Sequence, residues 1–276
     1  MINILFPTDF SPHARNALRY LAPIAVRMSA QVFLLHVYEA DGTWEEEPAE
    51  LAAEERAIVE AEMRAWLCED IRWIRVNHPG VVVSGVLRSG ETLPVIKRYA
   101  GEMHADWIMM GTRGGGWRRQ LQGGSLASRL ASEANCPVLI IPGNDSFHGL
   151  SRIVFATNYQ PSDLQALRRL LALARPFGAE IQIVHISPTH EPAAPEAFRR
   201  FREQVVQQLP YPYLSFRLLL SRDVSKGLVK LVNSPEVELL AMSPRKMPSW
   251  KRWLVGSRTQ FISHQSCKAV LTLPEE

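Results

Sequence analysis

A stretch of glycines and arginines in the first half of the sequence has the composition of a phosphate-binding loop. The segment "GTRGGGWRRQLQGGS", residues 111–125, contains six glycines, three arginines and a tryptophan. Glycine lets a backbone approach an anion closely, and the planar guanidinium group of arginine can bond two phosphate oxygens. The same composition is also typical of a flexible surface loop whose arginines face water. The position of the segment in the fold has to distinguish these two interpretations.

The glycine-rich segment begins where a strand pattern ends and stops where a helix pattern begins. Trp107–Met110 is predicted as a strand, and Leu126–Glu133 is predicted as a helix. A helix N-terminus offers unpaired backbone N–H groups, and the Ser125 hydroxyl can bond a phosphate oxygen or cap the helix. In an open parallel sheet, ligands bind beyond the carboxyl ends of the strands. This placement favours a phosphate site.

The chain contains an internal repeat. "INILFPTDFSPHARNALRYLAPIA" near the N-terminus matches "SRIVFATNYQPSDLQALRRLLALA" from Ser151, and each has a proline three residues after Asp9 or Asn158. "AQVFLLHVYE" and "AEIQIVHISP", then "NCPVLIIP" and "CKAVLTLP", follow in the same order. The preserved order indicates a duplicated domain. The composition of the join predicts a first domain at residues 1–143, a linker at 144–150 and a second domain at 151–276.

Strand and helix patterns alternate within the first repeat. Alternation of this kind predicts an α/β fold with a parallel, doubly wound sheet in each repeat. The predicted strands and helices, in alternating order from the first strand, are Ile2–Pro7, Ala14–Met28, Val32–Val37, Leu51–Val76, Gly80–Leu87, Thr92–Ala100, Trp107–Met110, Leu126–Glu133 and Val138–Ile141.

Several protein classes do not fit the sequence. A Walker loop requires a Gly-Lys pair, which the chain lacks, and the "PTDFS" after the first strand has no glycine for a dinucleotide fingerprint. There is no apolar run of about 18 residues, so we expect no membrane span. The start "MINILFPTDF" lacks the features of a secretory signal, and three scattered cysteines predict buried or unreactive thiols in the reducing compartment of a cytoplasmic protein.

Charge is distributed unevenly along the chain. The net charge is +3, but the first 146 residues carry 14 basic and 18 acidic side chains, whereas the remainder carries 17 basic and 10 acidic ones. A basic half is compatible with an anionic partner, although it is more often a solvated surface. There is no basic run dense enough for a nucleic-acid-binding arm. We therefore expect no nucleic-acid partner.

Taken together, these motifs resemble the universal stress protein family in its tandem form. Nucleotide-binding members carry G-x2-G-x9-G-[ST], and Gly111, Gly114, Gly124 and Ser125 have this spacing. The segments "PTDFS", "LLHV" and "NCPVLIIP" are also similar to the family. The resemblance implies two tandem five-stranded sheets of the adenine nucleotide alpha hydrolase-like type, each with the strand order 3-2-1-4-5. It also implies an adenine nucleotide, ATP with or without Mg²⁺, in the first half.

The resemblance further implies roles for individual residues. Asp9 would contact the ribose or the base, a role compatible with one as a helix cap or turn residue. Val37 would contact the adenine through its backbone, and Met110 and Gly111 would line the sugar and phosphate region. The residues around the triphosphate would be Gly114, Gly124, Ser125 and Leu126, and the predicted site is completed by Pro7, Thr8 and Arg113.

The second half has lost the glycine pattern. Ser243 and Lys246 stand in place of the first two glycines, and Asn158 stands where the first half has an aspartate. We expect no ATP there in the family's binding mode, which leaves a structural role, another anion or an unknown protein partner. The apolar terminal strands Val138–Ile141 and Ala269–Leu273 are predicted to pair antiparallel in an intramolecular pseudo-dimer. A further homodimer stays an alternative.

Two functional classes follow from these observations. Phosphoryl transfer requires a metal-held triphosphate and a residue that positions the nucleophile. The motif supplies a cradle without an assigned base, so we predict no catalytic and no metal-binding residue. The favoured function is an ATP-binding regulatory module of a stress response, and the alternative is a slow ATPase or nucleotide-transfer enzyme. His36 and His185, at equivalent ends of the second strands, are expected to be structural.

Overall fold

The computed structural model of the protein describes residues 1–38, 49–112, 126–187, 194–222, 226–227, 230–231, 234–235, 237–243 and 268–274. In the first half, the strands and helices alternate as predicted. They are β1 (Ile2–Pro7), α1 (Pro12–Arg27), β2 (Ala30–Tyr38), α2 (Ala49–Asn77), β3 (Val82–Ser89), α3 (Thr92–Glu102), β4 (Trp107–Thr112), α4 (Leu126–Glu133) and β5 (Val138–Pro142).

Some boundaries differ from the sequence-based ones. Helix α1 begins at Pro12, two residues before the predicted start, because Ser11 acts as the N-cap and its hydroxyl accepts a hydrogen bond of 3.2 Å from the backbone N–H of Ala14. Proline suits the first helical position because its ring presets the helical φ and the missing N–H is not needed there. Strand β3 begins at Val82 instead of Gly80.

In the second half the strands follow the same order along the chain, and two α-helices fall within its described residues. A short 3-10 turn, Arg175–Phe177, extends its first helix. Its strands and helices are β6 (Arg152–Ala156), α5 (Pro161–Ala174), β7 (Glu180–Ser187), α6 (Ala194–Gln208), β8 (Leu214–Leu220), β9 (Leu239–Met242) and β10 (Ala269–Thr272).

The ten strands of the described residues form one sheet, in the order β3-β2-β1-β4-β5-β10-β9-β6-β7-β8. The strands pair parallel within each half, and each half has the order 3-2-1-4-5. Strand β5 pairs antiparallel with β10, with Ile140 opposite Val270 and Leu139 opposite Leu271. This is the terminal-strand pairing that the sequence predicts. It also joins the two expected sheets into one.

The two faces of the sheet are packed differently. Alternate residues of β1 point to opposite faces, with Ile4 and Phe6 on one face and Leu5 on the other. The sheet face that carries Ile4 is covered by α1, α2, α5 and α6. The apolar core between this face and these helices is continuous across both halves. The other face has separate cores, one packed by α3 and α4 and one in the second half. The halves are therefore joined by a shared apolar core as well as by strand pairing.

The segment between β5 and β6 lies against both halves. The backbone carbonyl of Asp145 accepts a hydrogen bond of 2.7 Å from the Asn16 side chain in α1. The Phe147 ring contacts Tyr20 of α1 and Phe177 after α5, with ring centroids 5.2 and 5.9 Å apart. Among the described residues, no helix is both long enough and apolar enough to cross a membrane.

Candidate functional site

The described members of the predicted site lie at or just beyond the carboxyl ends of neighbouring strands in the first half. Strand β1 lies between β2 and β4, which is the point where the strand order reverses. Pro7 at the end of β1 pairs with Leu35, two residues before Val37. On the other side, Leu5 pairs with Ile108, two residues before Met110. The loop that follows β1 therefore lies between the end of β2 and the end of β4.

These strand ends gather only part of the predicted set. The described members are Pro7, Thr8, Asp9, Val37, Met110 and Gly111, and Leu126 is the first residue of α4. The other predicted residues, Arg113, Gly114, Gly124 and Ser125, lie outside the described residues.

Asp9 is held in a tight turn between β1 and α1. Its Oδ1 accepts a hydrogen bond of 3.0 Å from the backbone N–H of Ser11. The Thr8 hydroxyl accepts one of 3.1 Å from the backbone N–H of Phe10. Phe10 has a φ of 58°, in the left-handed region that bulky side chains seldom adopt. The turn role considered for Asp9 is therefore confirmed, and its carboxylate remains at an exposed position beside these strand ends.

The side chain of His36, in the neighbouring strand β2, contacts this turn. Its Nδ1 lies 2.8 Å from the backbone carbonyl oxygen of Thr8. Its ring packs on Phe10 with the centroids 4.4 Å apart, and Phe10 also contacts Trp66 of α2 at 5.3 Å. The structural role expected for His36 is confirmed by these contacts.

Gly111 has a packing reason to be glycine. A Cβ at this position would lie 2.8 Å from the carbonyl oxygen of His13 and 3.0 Å from the Cβ of Ala17. Both atoms belong to α1, so the missing side chain lets α1 pack closely on β4. The sequence pattern assigns Gly111 to the phosphate region, and the structure adds a requirement that spacing alone does not reveal.

The profile of the universal stress protein family matches residues 1–142. The chain belongs to the universal stress protein family.

Individual relatives agree with this assignment. A universal stress protein of Synechocystis sp. is 30% identical over 139 residues, which are 50% of this chain and 84% of that protein. One from Methanocaldococcus jannaschii is 29% identical over 146 residues, covering 50% of this chain and 80% of that protein. The crystal structure of a universal stress protein from Archaeoglobus fulgidus has a TM-score of 0.74 and 17% identity, and the match covers 99% of this chain and 96% of that one. This last likeness supports the fold over both halves.

The second half of this universal stress protein braces the equivalent turn with a buried carboxylate. Asp163 in the first turn of α5 accepts hydrogen bonds from the Thr157 hydroxyl at 2.6 Å and from the backbone N–H groups of Asn158 and Gln160 at 3.1 Å each. In the first half the matching position is Ala14. Sequence reasoning missed Asp163, although an acidic residue at the third position of a helix is a capping signal.

Residues at the corresponding strand ends of the second half are also packed differently. Ile186 takes the position of Val37 but is only 5% exposed, whereas Val37 is partly exposed. Gly227 approaches so closely that a Cβ there would lie 3.1 Å from the Cδ1 of Ile186. Ser243, which replaces the first motif glycine, donates its hydroxyl to the carbonyl oxygen of Leu273 at 3.1 Å. Lys246 lies outside the described residues.

The Cys136 thiol is in an environment that makes it unreactive. Burial raises the pKa of this thiol to about 11, above its ordinary value, so it stays protonated at neutral pH. A thiol is nucleophilic only as the thiolate. Cys68 is exposed on α2, and Cys267 lies outside the described residues.

Proposed function

We propose that the first half of this universal stress protein binds one adenine nucleotide, ATP with or without Mg²⁺, and acts as a regulatory module in a stress response. The observation that carries the proposal is the position of Asp9. It lies at the switch point of the sheet, between the end of β2 with Val37 and the end of β4 with Met110 and Gly111. Open parallel sheets bind ligands at this point.

Each part of the site has a chemical task in this proposal. The Asp9 carboxylate accepts hydrogen bonds from the ribose hydroxyls or the base, and the backbone of Val37 reads the adenine. The α4 N-terminus supplies N–H groups and a positive dipole end for the phosphates. Its phosphate-binding residues would be Gly114, Gly124, Ser125 and Leu126, with Arg113 as a further cation.

We propose a structural or partner-binding role for the second domain, residues 151–276, linked by 144–150 to the nucleotide domain at 1–143. Two features support the loss of its nucleotide site. Asp163 already occupies the N–H groups of the turn, and Ile186 is buried where Val37 is accessible. In this arrangement the chain is an intramolecular pseudo-dimer that works in the cytoplasm, and its basic second half suits an acidic protein partner.

Isothermal titration calorimetry with ATP and Mg²⁺ tests the proposal. We expect a stoichiometry near one nucleotide per chain. Asp9→Asn is the matched variant, because the amide oxygen can still accept from Ser11 while the carboxylate charge is lost, and it should bind more weakly. Asn158→Asp is its counterpart in the second half and should add no second site. A stoichiometry near two would contradict the loss of the second site, and no binding at all would contradict the proposed function.

Measuring the release of free phosphate distinguishes the binding module from the alternative, a slow ATPase. A binding module releases phosphate no faster than ATP does in buffer with Mg²⁺. Steady phosphate release by the wild-type chain, abolished by Gly124→Arg, would establish the slow ATPase instead.

A further inference from the structure

We infer that His36 is a positioning residue for the proposed nucleotide site, holding the Asp9 turn against the end of the strand that carries Val37. The inference rests on the proposed function and adds a residue to it. His36 is next to Val37 in β2, so one side chain joins the two segments that face the adenosine part of the ligand.

His36 contacts the turn on both sides of Asp9. The Thr8 carbonyl oxygen, 2.8 Å from Nδ1, belongs to the peptide group that links Thr8 to Asp9. The Phe10 ring, 4.4 Å from the His36 ring, belongs to the residue that follows Asp9. The backbone of Asp9 is therefore fixed between two contacts with the same imidazole. A rotation of the turn would break at least one of them.

The contact with Thr8 determines that Nδ1 of the His36 ring carries a hydrogen. A carbonyl oxygen can only accept a hydrogen bond, so Nδ1 of His36 carries the hydrogen and donates it to Thr8. Together with Trp66, the packed ring also holds Phe10 in a left-handed conformation, with a φ of 58°, that the phenylalanine would seldom adopt alone. His36 thereby compensates for the strain of the turn that presents the Asp9 carboxylate.

The second half contains the same two kinds of histidine contact, together with additional hydrogen bonds to the turn. His185 Nδ1 lies 2.8 Å from the Thr157 carbonyl oxygen, and its ring packs on Tyr159 with the centroids 4.1 Å apart. Tyr159 has a φ of 63°. In addition, Asp163 accepts three hydrogen bonds from that turn.

The first half has Ala14 where the second half has Asp163, and a methyl group accepts no hydrogen bond. Asp9 replaces one of the three bonds, because its Oδ1 accepts from the backbone N–H of Ser11, which corresponds to that of Gln160. The first turn therefore depends more strongly on its histidine. This difference makes His185 a matched control for His36.

The experiment measures ATP affinity by calorimetry on the full chain and amide hydrogen exchange at Phe10 and Ser11. Three variants separate the possible roles: His36→Ala removes both contacts, His36→Asn keeps a donor at the Nδ1 position but removes the ring, and His185→Ala makes the matching change in the second half. Circular dichroism and thermal unfolding report whether each variant is folded.

We expect His36→Ala to weaken ATP binding about tenfold, as the loss of one well-placed hydrogen bond would do. Exchange at Phe10 and Ser11 should become faster. His36→Asn should recover part of the affinity, and His185→Ala should leave it unchanged even if it lowers the unfolding temperature as much as His36→Ala does.

Wild-type affinity in His36→Ala would overturn the inference, and so would an equal loss in His185→Ala, which would reveal a general effect on stability. If the wild-type chain binds no ATP, the proposed function is overturned. Hydrogen exchange in His36→Ala then still decides whether the histidine holds the turn.

Discussion

The side chain of Asp145 accepts a hydrogen bond of 2.8 Å from the backbone N–H of Ala269, 124 residues further along the chain. Ala269 begins β10, and Asp145 follows the end of β5, so the bond lies where the two halves meet. The carbonyl of Asp145 also accepts from Asn16 of α1 at 2.7 Å. One residue of the expected linker therefore connects the first helix of one half to the last strand of the other.

Replacing Asp145 should change stability in a pH-dependent way. Burial raises the pKa of this carboxyl, despite the lowering effect of the Ala269 N–H and the nearby Lys268 and His148. The folded chain then holds the proton more tightly than the unfolded chain, so the contribution to stability is full below the ordinary aspartate pKa and is lost as the pH rises through the folded pKa. Asp145→Asn keeps an acceptor without charge and should gain stability relative to wild type as the pH rises.

The Asp145 prediction is measured by urea unfolding between weakly acidic and neutral pH. Asp145→Ala is the control for the hydrogen bond and should be about 1–3 kcal/mol less stable than Asp145→Asn at every pH, since neither variant carries the titrating carboxyl and only the alanine leaves the Ala269 N–H without this acceptor. An advantage of Asp145→Asn that grows as the pH is lowered would contradict the assigned direction.

The first two motif glycines should respond differently to substitution. Gly111→Ala places a Cβ 2.8 Å from the His13 carbonyl oxygen, so it should lower the free energy of unfolding by about 1–3 kcal/mol. Gly114→Lys, which copies Lys246 of the second half, should leave stability near wild type and abolish ATP binding, because the sequence predicts that Gly114 lies in a loop and binds phosphate. Denaturant unfolding and calorimetry on both variants separate the two effects. Full ATP affinity in Gly114→Lys would contradict the loop interpretation.

Asp163 should stabilise the second half without affecting the proposed binding of ATP by the first half. Asp163→Ala, which copies Ala14, removes the hydrogen bonds of this carboxylate with the buried Thr157 hydroxyl and two backbone N–H groups, so it should cost about 2–3 kcal/mol. Glu203→Ala is the control, because its exposed ion pair with Arg199 at 3.1 Å contributes little. Thermal unfolding gives the stability and calorimetry gives the ATP affinity. An unchanged unfolding temperature would show that water replaces the carboxylate at no cost.

The repeat allowed much of this fold to be predicted from sequence, because hydrophobic periodicity and element order are local signals. The strand order came from the family resemblance, and the pairing of β5 with β10 followed from two short apolar edges. The packing role of Gly111 could not be predicted, since it depends on the distance between α1 and β4. The brace from Asp163 was missed because its partners are set by a turn conformation. The core shared by the halves was missed because periodicity shows that a helix has an apolar face without showing what that face contacts.

The apolar core shared by both halves leads to the last prediction. Leu139 and Ile141 of β5 lie in one cluster with Leu271 and Leu273 of the second half, so removing residues 144–276 exposes apolar side chains. It also exposes backbone groups. Since the Pro137 carbonyl accepts from Ile108 in β4, alternation along the strand directs the N–H and carbonyl groups of Val138 and Ile140 towards β10. An unpaired edge of this kind tends to pair with another edge.

Residues 1–143 expressed alone should therefore form a dimer in which two β5 strands pair antiparallel, one copy taking the place of β10 in the other. Sedimentation velocity across a concentration series measures this, with the full-length chain as the control because β10 already covers its β5 edge. Ile140→Pro in the isolated half should weaken the association, since it removes an N–H group that faces the partner strand and leaves the hydrogen bonds between β5 and β4 in place. A soluble monomer at high concentration would mean that β5 needs no partner and that the second half has another role than covering it.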